Sequence, residues 1–523
     1  MKLNYKRTIL VGFAFFLICA FWQAYDNTVP LILTNKFGMS QTWSGVIMAL
    51  DNVLALFMLP LFGHLSDKCT SPKGRRTPFI VIGTLVAACA LVALSFVDNT
   101  QLRHLRDVSA IDDPAALSVI YERQKDATLL SPGGESFILG QKFTEEEFTA
   151  IRSQTVTEDG EAVTDPAYTN YVVPARQACA EAVSRAHPAT VILFVALLLI
   201  ILLSMATFRS PAVALMPDVT VKPLRSKANA IINLMGTLGG ICVLVLGMGF
   251  AFNNSAVANT FRPSYGFFGV VSGIMLAALA VFMLTVRERK WAAEMEAETA
   301  RLEAAGEAPA EEDRSGDRKL SRGEQASLLL ILASVALWYF GYNAVTSKYS
   351  VYATNVLDLD YSATLLIANA AAVLSYIPVG FISSRIGRKK SILAGVAMLA
   401  VAFGAACFVR VGSSPLIMNA TFALAGIGWA SINVNSFPMV VELSTGSNVG
   451  RYTGYYYAAS MVAQALTPFL SGLFMDHLGM TALFPYATVF VVLSFLTMLC
   501  VRHGDSKPLP KGSVLERLDV DDD

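Results

Sequence analysis

The stretch Ile192-Leu193-Phe194-Val195-Ala196-Leu197-Leu198-Leu199-Ile200-Ile201-Leu202-Leu203-Ser204-Met205-Ala206 contains no charge and a single hydroxyl. Ile231 to Ala251 is likewise uncharged. Runs of about 20 apolar residues match a hydrocarbon core of about 30 Å, which a helix must span to cross a bilayer. The whole chain agrees: of its 523 residues 54% are hydrophobic and 15% charged, with a mean hydropathy of +0.52. Soluble domains carry about a quarter charged residues. Lys and Arg balance Asp and Glu at 40 each, so no basic excess exists to pair with nucleic-acid phosphates.

Reading outward from these runs gives spans at 8–26, 43–65, 77–97, 189–208, 227–251, 264–286, 326–346, 362–383, 391–409, 415–437, 452–474 and 482–501. Lys2, Lys6 and Arg7 precede an apolar run in the manner of a signal peptide, but Trp22-Gln23-Ala24-Tyr25-Asp26-Asn27 follows without a small-residue cleavage site. The run is read as the first span. Basic residues cluster on one side, at Lys68, Lys73, Arg75, Arg76, Lys222, Arg225, Lys227, Arg287, Arg289, Lys290, Arg385, Arg388, Lys389, Lys390, Arg451 and Arg502. The opposite loops offer little beyond Lys36, Arg262, Lys348 and Arg410. The positive-inside rule then places both termini in the cytoplasm of a multi-pass plasma-membrane protein.

The chain divides further. An N-terminal six-helix half comprises 1–97 and 189–286, and a C-terminal half comprises 326–501, followed by a cytoplasmic tail, 502–523. Residues 98–188 form an insertion between helices 3 and 4 on the exterior, with helix starts at Asp113-Pro114 and at Thr144-Glu145-Glu146-Glu147, which has capping-box spacing. Residues 287–325 form a cytoplasmic linker that begins as an Ala/Glu-rich helix. An internal repeat supports the two halves: at an offset of 317, Tyr25 falls on Tyr342, Asn52 on Asn369 and Gly63 on Gly380. Later, at an offset of 224, Asp218 falls on Glu442. Parallel halves around a central site are a common transporter plan.

Gly63-His64-Leu65-Ser66-Asp67, then Lys73-Gly74-Arg75-Arg76, is the sharpest motif, with a degenerate copy at Gly380-Phe381-Ile382-Ser383-Ser384-Arg385-Ile386-Gly387-Arg388-Lys389. It resembles the loop motif of the major facilitator superfamily. Ser66-Asp67-Lys68-Cys69-Thr70-Ser71 with Pro78-Phe79-Ile80 is similar to the sucrose/proton symporters, near the glycoside–pentoside–hexuronide cation symporters. The resemblance implies an all-α major facilitator fold of twelve transmembrane helices and secondary active transport of a di- or oligosaccharide by alternating access. A drug or metabolite antiporter shares that fold, and a membrane sensor whose exterior insertion binds a ligand is an alternative of another class.

Glycine at 63 lets helices approach closely. Asp67 with Arg75 or Arg76, Asp218 with Arg225, and Glu442 with Arg451, together with Arg388, read as a conformational latch between the halves. Asp51 lies inside span 2, where holding a charge costs about 2.5–3.5 kcal/mol, and its repeat position is Ala368, so the fold itself does not demand an acid there. It is the candidate proton carrier, with Asp26 a second. The family's sodium-using members carry two acids a turn apart on this helix, yet Ile47 and Ala55 flank Asp51, which favours protons over sodium. A sugar site needs aromatic faces and amides. Trp22, Gln23, Tyr25 and Asn27 of span 1 and Trp338, Tyr342 and Asn343 of span 7 supply that mixture, and Asn52, Asn369, Asn433, Asn435 and Gln464 add amides within spans.

Seven scattered cysteines form no CxxC, and Cys179, outside the spans, has no evident disulfide partner. No metal site, phosphate loop or nucleophile–base pair supports a cofactor or an enzymatic reaction. The expected partners are a small sugar and the bilayer, with a monomeric chain and a candidate extracellular partner for 98–188.

Overall fold

A computed structural model of the chain describes residues 3–156, 162–221, 224–250, 255–304, 321–441, 443 and 449–503. Among them are twelve helices long and apolar enough to cross a membrane. Spans 1 to 6 are Tyr5–Lys36, Gln41–Asp67, Thr77–His104, Pro188–Asp218, Ile231–Phe250 and Tyr265–Thr285. Spans 7 to 12 are Arg322–Val356, Tyr361–Ser383, Arg388–Ala406, Pro415–Val440, Tyr452–Leu478 and Met480–Leu499. Each set of six encloses its own apolar core. Ile80, Leu91, Phe208 and Phe282 lie in the first, and Ile331, Leu399, Phe484 and Val491 in the second.

Local chemistry explains several boundaries. Ser321 and Glu324 form a reciprocal capping box at the start of span 7, and Asp360 accepts from Ser362 N to start span 8. Spans 3 and 4 carry proline in their first turn, where its missing N–H costs nothing.

Spans 1 and 7 run well past their expected ends at 26 and 346, to Lys36 and Val356. Both extensions are polar: Thr34, Asn35 and Lys36 in one, Lys348, Ser350, Thr354 and Asn355 in the other, all buried. Lys36 and Lys348 therefore are not loop residues. A hydropathy reading stops where polar residues begin, but here the helices continue because those groups find partners inside the protein. Lys36 Nζ meets Asp98 Oδ2 at 2.7 Å and donates to Arg262 O at 2.9 Å.

Residues 98–188 hold a third core, formed by Leu117, Ile120, Phe148, Tyr168, Val172 and Cys179 and completed by Val257 and Phe261 from the connection between spans 5 and 6. Helices start at Pro114 behind the Asp113 cap and at Glu145 behind a Thr144–Glu147 capping box. Two short antiparallel hairpins, Thr128–Leu130 with Ser136–Ile138 and Gln154–Val156 with Ala162–Thr164, also form and were not expected. Cys179 is buried as a free thiol. After span 6, helix Glu288–Ala304 begins the linker and is tied back to span 1 by Arg7, which pairs with Glu294 at 2.6 Å and lies over the Trp291 ring.

Candidate transport site

Spans 1, 2 and 4 bring a charged cluster together at the centre of the first half. Trp22 and Tyr25 contact each other edge to face at 5.5 Å, and the Arg209 guanidinium of span 4 lies 5.6 Å from the Trp22 ring. Asp26 and Asp51 are close enough to repel one another, and Arg209 is close enough to attract both. Asn52 Nδ2 donates to Asp51 Oδ1 at 2.7 Å. Arg209 was missed in the sequence because the apolar reading of span 4 ended at 208, whereas the helix continues to Asp218. A charge following an apolar run within the same helix was the available signal.

The second half supplies an aromatic face. Tyr342 stacks flat on Trp429 at 3.7 Å, and Tyr339 meets the same indole edge to face at 5.5 Å. Trp429 and Tyr339 were not expected at the site. Tyr25, like Trp338, is wholly enclosed in its core, whereas Trp22 Nε1 and Asn343 Nδ2, among the buried polar atoms without a protein partner, belong to half-buried side chains. Such groups are costly to leave unpaired, which suits donors that meet a polar solute.

Other expected lining residues fall differently. Trp338 is wholly enclosed in the second core and cannot line a cavity in this conformation. Asn27 is buried and donates to Gln23 O in its own helix, and Asn435 likewise donates to Ser431 O. Asn433 is exposed, 3.5 Å from Tyr376 OH, while Asn369 and Gln464 are half-buried on spans 8 and 11.

The motif charges expected as a latch come together on the face that bears the termini, but with a different pairing and wholly within the first half. Asp218 is gripped by both motif arginines: Arg75 binds its two oxygens at 2.7 and 3.1 Å, and Arg76 Nε binds Oδ2 at 2.8 Å. Arg76 also pairs with Asp67 at 2.5 Å and donates to Ser66 Oγ. Arg225 instead donates to Pro217 O and Thr220 O, satisfying carbonyls at the end of span 4. Glu288 enters unannounced: one oxygen accepts from Arg76 N at 2.8 Å, the other from Thr77 N and Thr77 Oγ1 at 2.8 and 2.7 Å. It thus caps span 3 from the linker helix. Gly74 has φ +118°, and a Cβ there would collide with the Glu288 carboxylate. At Gly63 the near neighbour is Ser210 Oγ of span 4, the close approach expected of that glycine. Arg388 opens span 9; Glu442 and the Arg451 side chain lie outside the described residues.

Hydrogen bonds joining the halves gather on the opposite face. Asn35 and Asn355 exchange reciprocal amide bonds at 3.0 and 2.8 Å, and Thr481 N donates to Pro132 O at 3.0 Å. Asp358 accepts from Ser255 Oγ, Val257 N and Thr164 Oγ1 at 3.0, 3.1 and 3.1 Å. Towards the termini, by contrast, Gly380 and Gly454 face open space. The halves meet at the face opposite the termini.

Sequence comparisons accord with this architecture. The profile described as Major Facilitator Superfamily matches residues 178–375 and 364–518, and that described as MFS/sugar transport protein matches 11–102. The chain belongs to the Major Facilitator Superfamily. It is a multi-pass membrane protein with the fold of a transporter family. Two sucrose transport proteins of Arabidopsis thaliana are similar, one 39% identical over 59 residues and the other 37% over 67. These stretches are 11% and 13% of this chain and 12% and 11% of the relatives' lengths. Among solved structures, the xylose transporter of E. coli in an inward-open conformation has a TM-score of 0.56 at 13% identity, covering 99% of each chain. A bacterial homologue of the iron transporter ferroportin scores 0.60 at 12% identity, covering 95% of this chain and 99% of its own. One carries a sugar and the other is named for iron transport, so these likenesses show the fold alone.

Proposed function

We propose that the protein is a plasma-membrane symporter that moves a di- or oligosaccharide together with protons by alternating access, with both termini in the cytoplasm. One observation carries the reading: Asp51 and Asp26 stand beside Arg209 and the Trp22 indole inside the first half, while the second half carries an aromatic pair, Tyr342 stacked on Trp429. Two acids that repel each other next to one cation form a group that can take up and release a proton, and the repulsion depends on how many protons they hold. Unpaired indole and amide donors beside aromatic faces suit a sugar, whose hydroxyls need hydrogen bonds and whose C–H faces need apolar contact. The similarity to sucrose transport proteins supports the choice of a disaccharide. No second acid accompanies Asp51 a turn away, which favours protons over sodium.

Reconstituted vesicles with an internal pH dye test this. Sucrose and related sugars added outside should drive acidification inside in the wild type. Asp51→Asn should abolish accumulation against a gradient while sugar-for-sugar exchange continues, since exchange never needs the deprotonated acid. An Asn variant that still concentrates sugar would sink the assignment of Asp51, and sugar movement that is indifferent to pH would sink proton coupling.

A further inference from the structure

The joint between spans 2 and 11 is held by a helix cap supplied from the other half of the molecule. Span 2 begins at Gln41, and its own cap, Ser40, accepts from Trp43 N at 3.4 Å. The two N–H groups before that bond go to Asp476 near the end of span 11: Oδ1 accepts from Gln41 N at 2.7 Å and Oδ2 from Thr42 N at 2.8 Å. First-turn N–H groups have no acceptor within their own helix, and a carboxylate there also meets the positive end of the helix dipole. On the other side of the same residue, Lys348 Nζ of span 7 donates to Gln41 O at 2.6 Å. Lys348 is wholly buried and close enough to Asp476 to be attracted by it. One anion and one cation of the second half therefore hold both backbone polar groups of Gln41.

The surrounding backbone is built for this contact. A Cβ at Gly472 of span 11 would collide with the Gln41 carbonyl, and one at Gly45 of span 2 would collide with the Pro468 carbonyl. The two helices touch backbone to backbone where the cap forms. A buried ammonium and a half-buried carboxylate lose this arrangement at high cost unless water replaces it. Separating the helices and wetting this face are then a single event.

We infer that Asp476 and Lys348 are the gate of the face opposite the termini: they close it by seizing the first turn of span 2, and the cycle opens it by letting go. This rests on the alternating-access reading above. The two are positioning residues that act through span 2 and touch no substrate.

The test uses the full chain in nanodiscs, with native cysteines replaced and spin labels attached at Tyr265→Cys and Ser414→Cys, exposed positions on the two halves at this face. Pulsed dipolar spectroscopy reads the distance between them. Asp476→Asn keeps the side chain's shape but loses its charge and one acceptor, and the open population should rise roughly tenfold, the scale of a lost charge-assisted hydrogen bond. Lys348→Met should widen the same distribution. Folded variants that both keep the parental distribution overturn the gate. So does loss of folded protein in both, because the pair is then a structural tie. The distance readout needs no substrate. If neither sugar nor proton flux is found but both variants widen, the substrate reading fails and the gate stands.

Discussion

Lowering the pH should close the face opposite the termini through Asp358. This residue follows span 7 in a left-handed conformation, φ +52°, and is 7% exposed. Burial pushes its carboxyl up to about 6 from the ordinary 3.8, against the opposing influence of the bonds from Val257 N, Ser255 Oγ and Thr164 Oγ1. Tyr168, which also feels Arg176 and Asp112, is a titratable side chain that feels Asp358. When the halves part at this face, water reaches the carboxyl and returns it towards its ordinary value. The closed form thus binds the proton more tightly, and its advantage is full below the ordinary value and lost as pH rises through about 6. Between pH 7 and pH 5 the closed-to-open ratio should rise about tenfold, equivalent to ~1.4 kcal/mol. The assay is the distance between labels on the two halves, followed across that range. Asp358→Asn should flatten the profile. A wild-type distribution that does not move between pH 7 and pH 5, or one that moves equally in Asp358→Asn, would refute the reasoning.

Three further perturbations follow from the geometry. Arg76 is nearly buried and Arg75 is 43% exposed, so Arg76→Ala should cost about 3 kcal/mol and Arg75→Ala at most about 1 kcal/mol in detergent unfolding. Both should slow transport more than they weaken substrate binding, and equal losses of stability would contradict the burial argument. Gly74→Ala forces an L residue into φ +118° against Glu288 and should destabilise by about 1–3 kcal/mol; an unchanged melting temperature would show that this turn relaxes freely. Replacing 100–186 with a short linker should leave a folded transporter, because each half keeps its own core. The open population should nevertheless grow, since the bonds from Thr164 to Asp358 and from Thr481 to Pro132 are lost. A variant that loses its monodisperse detergent-solubilised form would contradict the first expectation.

The sequence by itself determined those features that depend on neighbouring residues. Apolar runs gave twelve spans, the repeat paired Tyr25 with Tyr342 and Asn52 with Asn369, and capping chemistry located helix starts at Pro114 and Glu145, where the structure has them. Asp51 and Asp26 could be singled out because a carboxylate inside an apolar helix is costly wherever the helix sits. The tertiary structure alone decided who meets whom. Asp218 lies seven positions from Arg225 but binds Arg75 and Arg76, some 140 positions away, because spans 2, 3 and 4 converge on the motif loop while Arg225 is taken by helix-end carbonyls. Lys36 and Lys348 read as loop cations, yet one pairs with Asp98 inside the first half and the other clasps Gln41 across the joint between halves. Arg209 and Trp429 acquire a role only once spans 4 and 10 are seen beside spans 1 and 7. Hydropathy and capping energies are set within a turn or two of the chain. The partner of a buried charge is set by which helices abut, a property of the packed bundle that no single helix encodes.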